Sequence, residues 1–429
     1  MERKIGIMGL WHLGCVMTAG LVECNNQIIA FDMRADRIEN LIKGRSPIFE
    51  PDLDERLQLA IAEKKLCFTT NIYDLNEVEL IWITVDTKLD DEDNCDLTEI
   101  MQYVSMLQKS GICKDLIVSS QVPCGTCKEI VHILDNAKIN VAYVPENFQL
   151  GKSLAYFKKN NTWVIGSDCK EYAKKIEQII NKWCEKPIIC NLETAEMVKH
   201  AINAFLATTI SFSNALAEIC VQMGADAYKV AEIMQLDNRI GNGLPLLPGP
   251  WFSGGTLARD VKILDSICNK ESPVESFFKS IIDINNTRIQ YLLDRIETYT
   301  SLKNKNVCIL GAIYKANTNT LRRSPGLQMH KYLKEYGMKK IAFYDELISG
   351  EDKALLGERE IFCYKRLDQA IEDSDILIIL RNDIAEEIKK DNYISLTSGK
   401  LILDIPNSLE KLNLTQHGMI VTPGRTFEI

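Results

Sequence analysis

The first 150 residues alternate short apolar runs with stretches whose apolar positions recur at helical spacing. The runs Lys4–Met8, Gln27–Phe31, Leu80–Val85, Leu116–Ser120 and Asn140–Val144 read as strands, and Thr162–Ile165 as a sixth. Continuous apolarity without strict alternation fits strands buried on both faces. Between them Ala35–Lys43 and Pro51–Lys64 read as amphipathic helices. Strand–helix alternation of this kind predicts a doubly wound parallel sheet. From about Glu193 the pattern becomes one long helix reaching Gly224, with apolar residues over most of its circumference. Such a helix belongs between domains or between subunits. More helix follows to about Thr300, interrupted by the Gly/Pro-rich loop Gly241–Gly255. A second βα alternation begins at Asn306, with strands at Val307–Leu310, Lys340–Tyr344, Ile376–Leu380 and Leu401–Ile405. The expected fold class is α/β, two Rossmann-like doubly wound domains joined by a long central helix. Its expected parts are a dinucleotide domain (1–190), a central helical and dimerisation domain (191–300) and a second Rossmann-like domain (301–429).

Composition narrows the function more than the fold. The 429 residues are 46% hydrophobic and 25% charged, as in an ordinary globular protein, and too many for one domain. A net charge of −9 argues against nucleic-acid and anionic-membrane partners, while leaving room for a local phosphate site. No uninterrupted apolar run reaches the roughly 18 residues of a membrane span. Fourteen cysteines without a paired framework fit reduced thiols and a cytoplasmic location. Cys124-Gly125-Thr126-Cys127 has redox spacing, but it follows a strand deep inside the first domain and reads as structural. His12, His132, His200, His330 and His417 show no ligand spacing, and no metal is expected.

Gly9-Leu10-Trp11-His12-Leu13-Gly14 stands where a dinucleotide fingerprint should, after the first strand and opening a helix. Trp11 occupies the place of the middle Gly. Asp32 ends the second strand, where an acid accepts from the adenosine ribose hydroxyls and disfavours a 2′-phosphate. Arg34, two residues on, could instead receive that phosphate. Together these residues predict dinucleotide binding, with NAD as the cofactor.

Further stretches resemble one family, the UDP-glucose/GDP-mannose dehydrogenases, in order along nearly the whole chain. Gly44-Arg45-Ser46-Pro47-Ile48-Phe49-Glu50-Pro51 resembles its G-x-S-P-I-x-E-P stretch, and Thr84-Val85-Asp86-Thr87 its cofactor loop. Ser120-Gln121-Val122-Pro123-Cys124-Gly125-Thr126 resembles S-T-V-P-x-G-T, and Pro145-Glu146-Asn147-Phe148-Gln149-Leu150-Gly151 resembles P-E-x-L-R-x-G. Glu196-Met197-Val198-Lys199-His200-Ala201-Ile202-Asn203 is similar to E-x-x-K-x-x-x-N, and Asp237-Asn238-Arg239-Ile240-Gly241 to D-x-R-I-G. Gly311 to Thr318 and Leu321 to Pro325 are similar to the two halves of its C-terminal motif.

The resemblance implies roles. Gly9, Trp11, His12, Leu13, Gly14, Asp32, Arg37, Thr84, Val85, Asp86, Gln121 and Arg322 would meet the cofactor. Asn147, Phe148, Gln149, Leu150, Phe252, Gly254, Gly255, Tyr314 and Lys315 would meet a nucleotide sugar. Arg239 would reach the substrate of a neighbouring subunit, implying a homodimer through the central helix. Lys199 and Asn203, four apart on one helix face, would stabilise negative charge on the reacting oxygen, and Asp260 would place water and protons. The segment Trp251 to Asp260 resembles the family's reactive loop, F-G-G-x-C-L-P-K-D, but Thr256 stands where the nucleophilic Cys would be and Arg259 where the Lys would be. A hydroxyl, far weaker as an acid than a thiol, is a poor nucleophile without a base. Gln121 and Leu150 also depart from residues that serve hydrolysis of a thioester. The expectation is therefore a single two-electron oxidation of a sugar hydroxyl in glycan precursor supply. A four-electron 6-dehydrogenase and a non-catalytic nucleotide-sugar binder are the alternatives.

Overall fold

The computed structural model describes residues 2–89, 94–134, 139–146, 148, 150–159, 163–241, 243–253, 256–313, 321, 324–346, 348, 361–411 and 419–425. The chain divides into two compact units, Met1–Ile202 and Asn203–Ile429.

The first unit is built on an eight-stranded sheet. Its strands are β1 (Lys4–Met8), β2 (Gln27–Phe31), β3 (Leu66–Thr69), β4 (Leu80–Ile83), β7 (Asp115–Val118), β8 (Val141–Tyr143), β9 (Val164–Gly166) and β10 (Ile188–Cys190); a short hairpin, β5 (Lys88–Leu89) and β6 (Cys95–Asp96), stands apart. The order is β10-β9-β8-β7-β4-β1-β2-β3, parallel except where β9 runs against β8. One apolar layer, with Ile5, Ile7, Val16, Trp82 and Phe157, covers one face, and another, with Met8, Phe31, Ile83, Tyr103 and Val118, covers the other. Burial on both sides explains why the central strands read as unbroken apolar runs.

In the second unit β11 (Asn306–Leu310), β12 (Lys340–Tyr344), β13 (Phe362–Tyr364), β14 (Ile376–Ile379), β15 (Leu401–Asp404) and β16 (Met419–Val421) form a parallel sheet ordered β13-β12-β11-β14-β15-β16. In both units the first strand sits beside the second on one side and the fourth-ranked strand on the other, so the winding reverses there. That reversal is where doubly wound folds open a ligand crevice. The expected fold class is the observed one. Within the two large sheets the pattern missed β3, β10, β13 and β16, and it missed the two-residue strands β5 and β6 of the separate hairpin. The four in the large sheets are strands of three or four residues at or near a sheet edge, and β10 and β13 expose part of their length.

The long helix runs Leu192–Gln222, 31 residues, close to its expected limits. By length and composition it could cross a membrane, with a mean hydropathy of 1.5 over 18 residues, although polar residues interrupt the apolar run. Only 44% of that window is buried in the protein. Its exposed apolar side chains form a stripe rather than a sleeve: Phe205, Phe212 and Ile219 recur every seven residues, each more than half exposed. Buried Ala204, Ala207, Asn214 and Ala217 line the other side. A seven-residue repeat keeps one face toward a partner helix.

Candidate functional site

The turn after β1 has the geometry a dinucleotide needs. Gly9 sits at φ +94°, in the left-handed region open to glycine, and an added Cβ would stand 2.7 Å from Val85. Gly14, inside the helix His12–Glu23, lies so close to the turn that a Cβ would be 1.9 Å from the Gly9 carbonyl oxygen. Thr84 pins the turn from β4, donating its hydroxyl to the Gly9 carbonyl at 2.8 Å. Leu13 is buried beneath the helix. These residues fit the pyrophosphate-binding frame expected of Gly9, Leu13, Gly14, Thr84 and Val85, with helix N–H groups at its mouth. Asp86 follows Val85 in the same loop, and the Gln121 carbonyl accepts from the Thr87 hydroxyl at 2.6 Å.

Asp32 is fully buried at the end of β2. Its carboxylate accepts the Leu10 N–H and Arg37 Nη1, each at 2.7 Å, and the Arg34 N–H at 2.9 Å. The Arg37 guanidinium in turn lies 5.1 Å from the centre of the Trp11 ring. The large residue at the fingerprint's middle position thus becomes a platform for an arginine.

Glu50 is a residue whose role the motif alone did not reveal. Its carboxylate accepts from His12 Nε2 at 2.9 Å, from the Gly151 N–H at 2.9 Å and from the Ser153 N–H at 2.6 Å. Burial pushes the carboxyl up, but the bonds from His12, Gly151 and Ser153 outweigh it and hold the group below its ordinary 4.5. Glu50 therefore ties the cofactor turn to the segment that ends in Leu150 and Gly151, more than 100 residues later in the chain.

Lys199 is nearly buried and donates to the Glu146 carbonyl, with the Glu146 carboxylate 3.7 Å away. Glu146 also accepts the Phe148 N–H at 2.7 Å. The Phe148 ring packs at 6.0 Å from Phe157 and 6.1 Å from Trp163, so its backbone rather than its ring is what remains for a ligand. Glu196, one turn before Lys199, caps the helix Thr126–Leu134, accepting the Gly125 N–H at 2.7 Å and the Cys127 N–H at 2.8 Å. Burial and the adjacent Glu196 push the Cys124 and Cys127 thiols up, which makes them poor thiolates.

In the second unit Asn203 donates to the Asp260 carboxylate, and both are buried. Asp260 lies on the helix Thr256–Ile267, whose exposed first residue is Thr256. Arg259, next to it, is buried. Asn285 was not anticipated: it accepts the Phe252 N–H at 2.8 Å and donates to the Phe252 carbonyl at 3.0 Å, fixing the backbone at Phe252. Arg239 is 89% exposed in its side chain and pairs with Asp237 two residues away. The expected contacts Asn147, Gln149, Gly254, Gly255, Tyr314, Lys315 and Arg322 lie outside the described residues.

Residues 3–184 match the NAD binding domain of the UDP-glucose/GDP-mannose dehydrogenase family, residues 193–287 its central domain and residues 308–411 its UDP binding domain. The chain is 30% identical over 421 residues to the UDP-glucose 6-dehydrogenase TuaD of Bacillus subtilis, covering 96% of this chain and 89% of that protein. It is 30% identical over 424 residues to a UDP-glucose 6-dehydrogenase of Rickettsia typhi, covering 95% and 96%. Among solved structures, a UDP-glucose dehydrogenase from Pyrobaculum islandicum superposes with a TM-score of 0.87 at 23% identity, covering 99% of this chain and 98% of that one. A UDP-D-ManNAc dehydrogenase from Pyrococcus horikoshii gives 0.85 at 21%, covering 98% and 99%. These two likenesses establish the fold, and the three matched domains establish the kinship: the chain belongs to the UDP-glucose/GDP-mannose dehydrogenase family, as a nucleotide-sugar dehydrogenase with its NAD-binding, central and UDP-binding domains in order.

Proposed function

We propose that this enzyme oxidises one hydroxyl of a UDP-sugar to a carbonyl in a single two-electron step, releasing one NADH and one proton per sugar. The observation that carries this reading is Thr256. An alcohol opens the helix Thr256–Ile267 at the position where the family places a thiolate, and no base is hydrogen-bonded to its hydroxyl among the described residues. A dehydrogenation to the carbonyl needs no covalent intermediate. Bound NAD+ supplies the hydride acceptor. Lys199 Nζ donates to the reacting oxygen as negative charge builds on it, and Asn203, one turn on, offers the amide N–H that Asp260 leaves free. The Asp260 carboxylate takes the hydroxyl proton. A thioester route would require a nucleophile with a far lower pKa than threonine has.

The exposed stripe of Phe205, Phe212 and Ile219 supports a homodimer through the long helix, with exposed Arg239 available to a second copy. The unbridged cysteines fit a reducing cytoplasm, where sugar nucleotides for surface polysaccharides are made. The deciding experiment measures NADH formed per sugar across a panel of UDP-sugars, with mass analysis of the product and of the intact protein during turnover. One NADH, a product two mass units lighter and no adduct are expected. Two NADH per sugar and a carboxylate product would overturn the reading in favour of a 6-dehydrogenase.

A further inference from the structure

Beside Asp32 the first unit holds a cavity of about 330 Å³, lined among others by Trp11, Arg34, Asp36, Arg37 and Arg45. It lies past the end of β2, where a doubly wound fold receives the adenosine ribose of a dinucleotide. In that position a carboxylate ordinarily faces the ribose hydroxyls and repels a 2′-phosphate. Here the carboxylate is turned inward. The Asp32 side chain is 1% exposed, and both of its oxygens already accept from the protein, one from the Arg34 N–H and the other from the Leu10 N–H and Arg37.

What faces the cavity instead is cationic. The Arg37 guanidinium covers Asp32, spends one nitrogen on it and lies 5.1 Å from the centre of the Trp11 ring. Arg45 is exposed and has no ion pair among the described residues. Arg34 pairs with Asp36 at 2.8 Å, but both side chains are more than half exposed. An ion pair in that much water contributes little, so Arg34 can turn to another anion at small cost. Three guanidinium groups thus stand against two carboxylates, Asp32 and Asp36, an excess of one guanidinium, and the Arg34–Asp36 pair is hydrated enough to open. A neutral ribose diol uses none of this excess charge, whereas a phosphate dianion matches guanidinium donors in geometry and in charge.

We propose that this cavity receives the 2′-phosphate of a phosphorylated adenosine ribose, so that the enzyme accepts NADP alongside NAD, with Arg34, Arg37 and Arg45 as the phosphate ligands. The proposal rests on the dehydrogenase reading only for the presence of a dinucleotide. It also reverses the preference that Asp32 implies in the sequence.

The test uses the full chain without sugar and titrates two fragments by calorimetry, adenosine 2′,5′-bisphosphate and 5′-AMP. The bisphosphate should bind about tenfold more tightly, the worth of one or two charge-assisted bonds at a hydrated site. The preference should shrink as salt screens it. Arg45→Ala and Arg34→Ala should each reduce the ratio of the two affinities by roughly threefold, and Asp36→Asn should raise it. Equal or tighter binding of 5′-AMP would overturn the proposal, as would a preference that survives the Arg34→Ala/Arg45→Ala double variant. Because no sugar is turned over, this failure is distinct from failure of the two-electron reading, which the NADH count detects.

Discussion

Replacing Glu50 by Gln isolates the contact that joins the cofactor turn to the segment around Leu150. The substitution keeps the shape but leaves one acceptor oxygen where there were two. Oε1 now accepts the Ser153 N–H at 2.6 Å, while Oε2 accepts the Gly151 N–H and His12 Nε2, each at 2.9 Å. Whichever way the amide turns, its NH2 faces at least one N–H donor. Water cannot relieve the conflict, because the Glu50 side chain is 1% exposed. Losing one charge-assisted bond and orphaning a buried donor costs about 3 kcal/mol. In a unit of this size that corresponds to a drop of roughly 6–12 °C in melting temperature. Urea unfolding of the two proteins side by side measures it directly. The sign with pH also follows. The Glu50 carboxyl is held below its ordinary 4.5, so its contribution is fully present above that pH and is lost as pH falls through the lower folded value. The gap between parent and variant should therefore narrow on acidification below about pH 4.5. KM for both cofactor and sugar should rise, because Glu50 positions both segments. A stability change under about 0.5 kcal/mol at neutral pH would refute the hub role. So would a gap that stays constant into acid.

Three further outcomes are expected. Lys199→Ala should lower turnover by about a hundredfold or more with a smaller change in sugar affinity, as for a lost oxyanion donor; near-normal steady-state turnover would make Lys199 structural. Gly14→Ala should destabilise the first unit by about 3 kcal/mol and abolish NAD binding by calorimetry, since the new Cβ meets the Gly9 carbonyl oxygen at 1.9 Å; unimpaired binding would show that the turn yields freely. Phe205→Glu with Phe212→Glu should weaken self-association about a hundredfold in analytical ultracentrifugation with the fold intact by circular dichroism, and an unchanged dimer would move the interface elsewhere.

Much of the local placement of the candidate site residues was legible before any coordinates. The order of the motifs placed Gly9, Gly14, Asp32, Lys199, Asn203 and Asp260, and the structure puts each on the element its local pattern implied. What was not legible is which groups those residues answer to. Asp32 read as an acid open to a ribose, yet Arg37 closes over it. Phe148 read as a ligand contact, yet its ring belongs to the cluster with Phe157 and Trp163. Glu146 and Glu50 sat inside quoted motifs without roles, because their partners are 53 and about 100 residues away.

The sequence by itself determined two mainly parallel sheets, the central strands and the long helix. Those features follow from local periodicity: strands buried on both faces are apolar throughout, and a helix declares itself every three to four residues. The resemblance to the family's reactive loop, with Thr256 at the position of the Cys, is likewise a reading of the sequence alone. Only the tertiary structure decided the short outer strands β3, β10, β13 and β16, the three bonds converging on Glu50, the clamp of Asn285 on Phe252 and the arginine lining beside Asp32. Their physical basis is pairing between distant segments. Hydrogen-bond partners and charge neighbours are set by where loops meet in space, and no pattern along one stretch of chain carries that information.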